Sequence, residues 1–238
     1  MSTQVDAQSG TSRDFWSGVR AALPLWLGIT PYGLAFGLLG PTVGLSGPAT
    51  LAMSLLVFAG SSQFIALGLV GAGASYPLIV LTTLVINLRH LLYAASLGPY
   101  LGKLPERWKP ALSFLLTDEA YAVTIDRFRQ PGMAPGPLFY LGVGLAVYVD
   151  WNVSTAVGLV LGGLVPGPAA LGLDFALPAT FIGLLVPQLR SRASWVTLAV
   201  AAAATLVLSG LPGRLDVLAA IILAASAGWG VETWLRRS

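Results

Sequence analysis

The sequence predicts an all-α, polytopic helical membrane protein with about six full spans and two broken or re-entrant helices; eight full spans are the alternative. Three observations carry this. Apolar residues make up 55% of the 238-residue chain and charged residues 10%, against roughly 25% charge in soluble proteins. From Ala21 to Gly102 the only formal charge is Arg89, and from Gln130 to Leu173 it is Asp150. The apolar runs are about 20 residues long and lack the alternation of barrel strands, which need only about 10 residues. One protein core could not hide this much apolar surface, so lipid must solvate the remainder.

Residues 1–14, with Asp6 and Asp14 among Ser and Thr, read as a mobile polar tail without the basic start of a cleavable signal. Residues 15–238 read as a single transmembrane domain. Its first segment, about Phe15 to Gly40, contains Pro24 and Pro31 and is expected to kink. The second, about Ala49 to Gly71, holds Ala59-Gly60-Ser61-Ser62-Gln63-Phe64, a small polar patch that can break a helix at membrane depth. The third, about Tyr76 to Leu101, carries Asn87-Leu88-Arg89-His90 near its middle. A shorter stretch, Pro110 to Phe128, mixes apolar residues with Thr117-Asp118-Glu119. The remaining segments are about Leu138 to Val165, Phe175 to Leu189, Ser194 to Gly210 and Leu215 to Leu235. Gly33 with Gly37, and Gly158 with Gly162, are small residues four apart, which lets helix backbones approach closely.

Lys and Arg collect in cytoplasmic loops, and this favours the six-span version. If the second segment and the Pro110 to Phe128 stretch dip in and return from opposite sides, both termini and eleven of the thirteen bases lie inside. Arg214 is then outside and Arg89 within the membrane. With eight spans, Lys103, Arg107 and Lys109 move outside, leaving eight inside against four.

Composition also excludes several functions. The net charge is only +3 and the bases sit where apolar runs end, which fits orientation in a membrane and not nucleic-acid binding. The chain has no Cys, one His and no HExxH, so disulfides, thiol redox chemistry and a zinc site have no residues to use. No metal, cofactor or catalytic residue is expected.

The candidate residues are the polar ones that lipid should exclude. An ionised side chain in mid-membrane costs at least ~2.5 kcal/mol on insertion scales, so Arg89 and Asp150 need compensation. Arg89 can grip a carboxylate with two prongs, whether a substrate's or that of Asp118, Glu119 or Asp150. Histidine changes protonation in the physiological range, which makes His90 a candidate proton relay; a satisfied polar residue is the plainer role. Thr117 can cap a new helix with Asp118 and Glu119 near its positive end. Asp150 and Asn152 share one apolar segment and both need partners. Ser61, Ser62 and Gln63 at a helix break suit a zwitterion, because freed amides favour a carboxylate and freed carbonyls an ammonium. Tyr32, Phe36, Phe58 and Phe64 can line an apolar pocket beside them.

Taken in order and spacing, three motifs resemble the large subunit of AzlC-type branched-chain amino acid exporters. They are Ala59-Gly60-Ser61-Ser62-Gln63-Phe64, then Asn87-Leu88-Arg89-His90-Leu91-Leu92-Tyr93 with Ser96-Leu97, then Leu116-Thr117-Asp118-Glu119-Ala120-Tyr121-Ala122. The likeness runs from about Phe15 to Arg192 and takes in Leu173 to Ala179. It implies export of leucine, isoleucine, valine and similar small apolar amino acids across the bacterial inner membrane. It also implies a partner, a small AzlD-type membrane subunit. No phosphate-binding G-x-x-x-x-G-K-[ST] loop is present in the sequence, and intramembrane His90, Asp118, Glu119 and Asp150 make proton-gradient drive the economical expectation.

The expected mechanism is alternating access, with helices rocking about Pro24, Pro31 and the Gly60 break. The break at Ser61, Ser62 and Gln63 with Arg89 would meet the carboxylate, an acid such as Asp118, Glu119 or Asp150 the ammonium, and Tyr32 and Phe64 the branched tail; Asn87 and Asn152 are further substrate-binding candidates. A passive channel or a non-transporting structural subunit is the rival. An intramembrane protease is remote, because Gly60-Ser61-Ser62-Gln63 lacks the glycine that follows the nucleophile in a GxSG turn.

Overall fold

The computed structural model describes residues 12–102, 104–130, 136–164, 182, 185–186, 189–208 and 215–237. The tail up to Thr11, Lys103, Arg214, the stretch from Leu173 to Ala179 and most of the Phe175 to Leu189 segment lie outside the described residues. Within them the chain is helical with no strand. The helices are α1 (Ser12–Thr42), α2 (Gly47–Leu56), α3 (Gly60–Gly71), α4 (Tyr76–Asn87), α5 (Arg89–Leu101), α6 (Lys109–Phe114), α7 (Asp118–Arg129), α8 (Pro137–Leu164), α9 (Arg192–Val207) and α10 (Leu215–Arg237). Among the described residues three stretches are long and apolar enough to cross a membrane: α1, α8 and the Tyr76–Leu101 run of α4 and α5.

The frame is α1 packed along α8. A Cβ added at Gly18 would lie 2.1 Å from the Phe139 carbonyl oxygen, one at Gly37 2.0 Å from that of Thr155, and one at Gly158 2.1 Å from that of Leu34. Only glycine lets these backbones touch. Residues rise in step on both helices, so α1 and α8 run parallel. α1 continues through Pro24, Pro31 and Pro41 without a break.

Two shorter hairpins lean on this frame from opposite ends. Gly47, at the start of α2, packs on Leu159 near the end of α8. α2 descends until Tyr148 donates a hydrogen bond to the Leu55 carbonyl at 3.0 Å. The chain reverses at Phe58 and α3 climbs back, so that Gly71 lies beside Val43 at the same end of α1. The second hairpin is its mirror in direction. Tyr140 holds the Leu112 carbonyl at 2.8 Å, Leu115 packs on Gly144, and after the turn at Leu116 and Thr117, α7 returns until Arg127 lies over the Phe139 ring at 5.3 Å. Both segments are therefore re-entrant, and their tips meet at mid-length of α8, where the Phe58 and Phe114 rings are 6.1 Å apart.

Local chemistry makes each turn. Thr117 is extended and its hydroxyl accepts from the Ala120 amide, with Asp118 and Glu119 in the first turn of α7 and Arg127 and Arg129 in its last. That arrangement suits the helix dipole at both ends. At the other tip Phe58 has φ 45, a left-handed conformation that a bulky residue rarely adopts. It is nevertheless buried and meets Tyr148 edge-on at 4.9 Å. Between α4 and α5 the helix tightens at Leu88, whose amide bonds both Leu84 and Val85. α9 and α10 pack chiefly on each other, with Gly228 against Thr197.

Candidate functional site

Where the two hairpin tips meet the frame they enclose a cavity of about 300 Å³, the small end of the ~300–1,000 Å³ usual for small-molecule sites. Its wall combines Gly60 and Ser61 at the start of α3, Thr117, Asp118 and Glu119 at the start of α7, and Arg89 and His90 beside the Leu88 turn. Ile29 and Tyr32 of α1, Val147 and Trp151 of α8, and Phe58, Ala59 and Phe64 complete it. Two helix N-termini thus open into one small space, and each brings the positive end of its dipole.

Arg89 spans the tips. Its Nη1 donates to Asp118 Oδ2 at 2.6 Å and its Nη2 to Ser61 Oγ at 3.3 Å. The pair keeps side-chain exposures of 28% and 40% and lines the cavity, while Arg89 Nε and Asp118 Oδ1 are buried without a partner among the described residues. Of the acids considered for Arg89, it is Asp118 that pairs with it. The next acid, Glu119, lines the cavity without an ion pair among the described residues. His90 Nδ1 lies 3.0 Å from the Asn87 carbonyl, which makes Nδ1 the donor and leaves Nε2 as the acceptor in the neutral ring. Behind these groups Tyr93 stacks on Tyr121 at 4.5 Å, and the Tyr121 hydroxyl donates to Ser96.

Of the residues singled out from sequence, Tyr32, Ser61, Phe64, Arg89, His90, Asp118 and Glu119 come together at the cavity. Ser62, Gln63, Asn87, Asn152 and Asp150 do not line it. Ser62 and Gln63 are fully buried and form the inner side of the same break. Ser62 Oγ donates to the Ala59 carbonyl, while Gln63 Oε1 accepts from the Ala59 amide. Gln63 Nε2 donates to Ser54 Oγ, which reaches Thr155 Oγ1 at 3.0 Å on α8. Asn87 Nδ2 donates to Ser62 Oγ, so α4 joins the network. These side chains satisfy the backbone groups that the α2–α3 reversal frees. Asn152 Nδ2 turns back to the Tyr148 carbonyl. Asp150 sits in the α1–α8 seam, where Thr30 Oγ1 donates to its Oδ1 at 2.7 Å.

Sequence reading passed over Trp151 and Val147 as wall residues. Their spacing carries the signal, because positions four apart share a helix face, whereas Asp150 lies on the face toward Thr30.

The profile of the AzlC protein family matches residues 24–165, more than half of the chain and every residue that lines the cavity. The chain belongs to the AzlC family. Its AzlC-family relatives are membrane proteins. It is 30% identical to the inner membrane protein YgaZ of Escherichia coli (strain K12), over 77% of this chain and 76% of that one. It is 29% identical to the branched-chain amino acid transport protein AzlC of Bacillus subtilis (strain 168), over 79% and 74% respectively. A membrane protein of Archaeoglobus fulgidus is 31% identical over 75% and 77%. No solved structure matches the AzlC-family chain.

Proposed function

We propose that this chain is the large subunit of a carrier that exports branched-chain and similar small apolar amino acids across the bacterial inner membrane, driven by the proton gradient and completed by a small AzlD-type subunit. The observation that carries the reading is the convergence of two half-helix starts and Arg89 on a cavity whose far wall is apolar. Helix starts and a guanidinium favour a carboxylate, and aromatic and branched side chains favour an aliphatic tail. The substrate carboxylate lies against Ser61, the α3 amides and Arg89. Glu119 takes the ammonium, since Asp118 is held by Arg89. Ile29, Tyr32, Phe64 and Val147 hold the tail. His90 and Glu119 are the proton-coupling groups, and both termini lie in the cytoplasm with the bases of Arg13, Arg20, Lys109, Arg127 and Arg129. The name of the Bacillus subtilis relative supports the substrate class.

Alternating access then has identifiable parts. The glycine-welded α1–α8 pair stays fixed, and the two re-entrant hairpins move against it, opening the cavity to one side and then the other. Accumulation of labelled leucine in everted vesicles tests the reading. Uptake should require this chain, rise when the small subunit is co-expressed, and fall when the proton gradient is collapsed. Equal accumulation in vesicles lacking the chain would overturn it.

A further inference from the structure

Trp151 is the largest side chain in the cavity wall, and it is buried among its neighbours. The ring is tilted over Phe36 at 6.0 Å, and Phe36 is fully buried and meets Phe64 edge-on at 5.7 Å. Its backbone belongs to α8, which cannot retreat from α1. On the α3 side stands Gly60. A Cβ there would lie 3.1 Å from Trp151 Cη2 and 3.4 Å from Cζ3, so the six-membered ring of the indole is seated directly on the hairpin tip. Gly60 has no left-handed φ that would require glycine; the reason for glycine at this position is room for the indole.

We infer that Trp151, seated on Gly60, is the gauge that sets how large an amino acid side chain the cavity accepts. The inference rests on the carrier reading and deepens it. Trp151 is a wall residue of the cavity and its ring is backed by Phe36, so the indole bounds the space left for a substrate side chain once the carboxylate is held. A single methylene too many in such a pocket is discriminated by about 10–200-fold. The two members of the pair can be altered in opposite senses. Trp151→Phe removes part of the ring while keeping an aromatic surface on Phe36. Gly60→Ala pushes the ring a few tenths of an ångström into the cavity.

The test is competition for labelled leucine uptake in everted vesicles by unlabelled alanine, leucine and phenylalanine. Wild type should be competed by leucine and poorly by phenylalanine. Trp151→Phe should improve phenylalanine relative to leucine by about tenfold or more. Gly60→Ala should move the ratio the other way, favouring alanine over leucine. Gly28→Ala, where nothing lies within 4 Å of the added carbon, should leave the ratios unchanged. Leucine-competent wild type with unaltered ratios in both variants, or with ratios shifted in the same direction, would overturn the gauge while leaving the carrier reading intact. Wild type that no amino acid competes would overturn both.

Discussion

The polar side chains near the cavity divide into those that face it and those that hold its shape, and substitution should separate them. Arg89→Gln removes both the Asp118 and Ser61 bonds and should lower leucine efflux by tenfold or more. Unfolding in detergent should move little, since a partly exposed ion pair contributes only about 0.2–1 kcal/mol. Arg89→Lys should fall between, because an ammonium cannot reach two partners in a fixed fork. Gln63→Ala should behave in the opposite manner. It strips the Ala59 amide of its buried partner and Ser54 of one of two, a loss of about 1–3 kcal/mol, so the unfolding midpoint should drop before any effect on substrate preference is seen. The residue types were legible in the sequence and their division was not. Ser61 and Ser62 are neighbours of equal chemistry, and only the direction of the α3 helix decides that one faces the cavity and the other the buried network.

The helices carry their own tests. Gly37→Ala places a carbon 2.0 Å from the Thr155 carbonyl oxygen and 2.8 Å from the Leu159 amide. Both are backbone atoms that cannot swing aside, so the α1–α8 pair should lose about 1–3 kcal/mol or more. Gly28→Ala on the same helix meets nothing and should be neutral or slightly stabilising. At the first tip, Phe58→Gly and Phe58→Ala both remove the ring, but only glycine relaxes the φ of 45. The glycine variant should therefore be the more stable of the two by about 1 kcal/mol, as read by denaturant unfolding in detergent. Spacing of small residues announced the seam at Gly33 and Gly37, and Thr117 announced the start of α7. The reversal at Phe58 had only the Gly60 patch to mark it, because no turn residue stands at the strained position itself.

At the scale of the whole chain, the absence of cysteine permits one reporter thiol at a time. Ser61→Cys should react with a membrane-impermeant thiol reagent, and leucine should slow the reaction. Ser62→Cys, at a fully buried position, should stay unlabelled. Equal labelling at both positions would show that the α3 start does not divide wall from interior. The all-helical, polytopic membrane character was readable from hydropathy, and so was the broken nature of the second segment and of the Pro110 to Phe128 stretch. What was not readable is that the dips enter from opposite ends and meet at one level, since that depends on contacts with α8 across almost a hundred residues of chain, as between Tyr148 and Leu55. The α1–α8 seam has one further consequence, for biogenesis. Thr30 and Asp150 are 120 residues apart in sequence, so a nascent chain must carry its first helix through the translocon with a bare glycine face until the last partner emerges. The scaffold of the molecule thus cannot close until residues 137–164 have been made, and a ribosome stalled before residue 137 would leave the first helix without its packing partner.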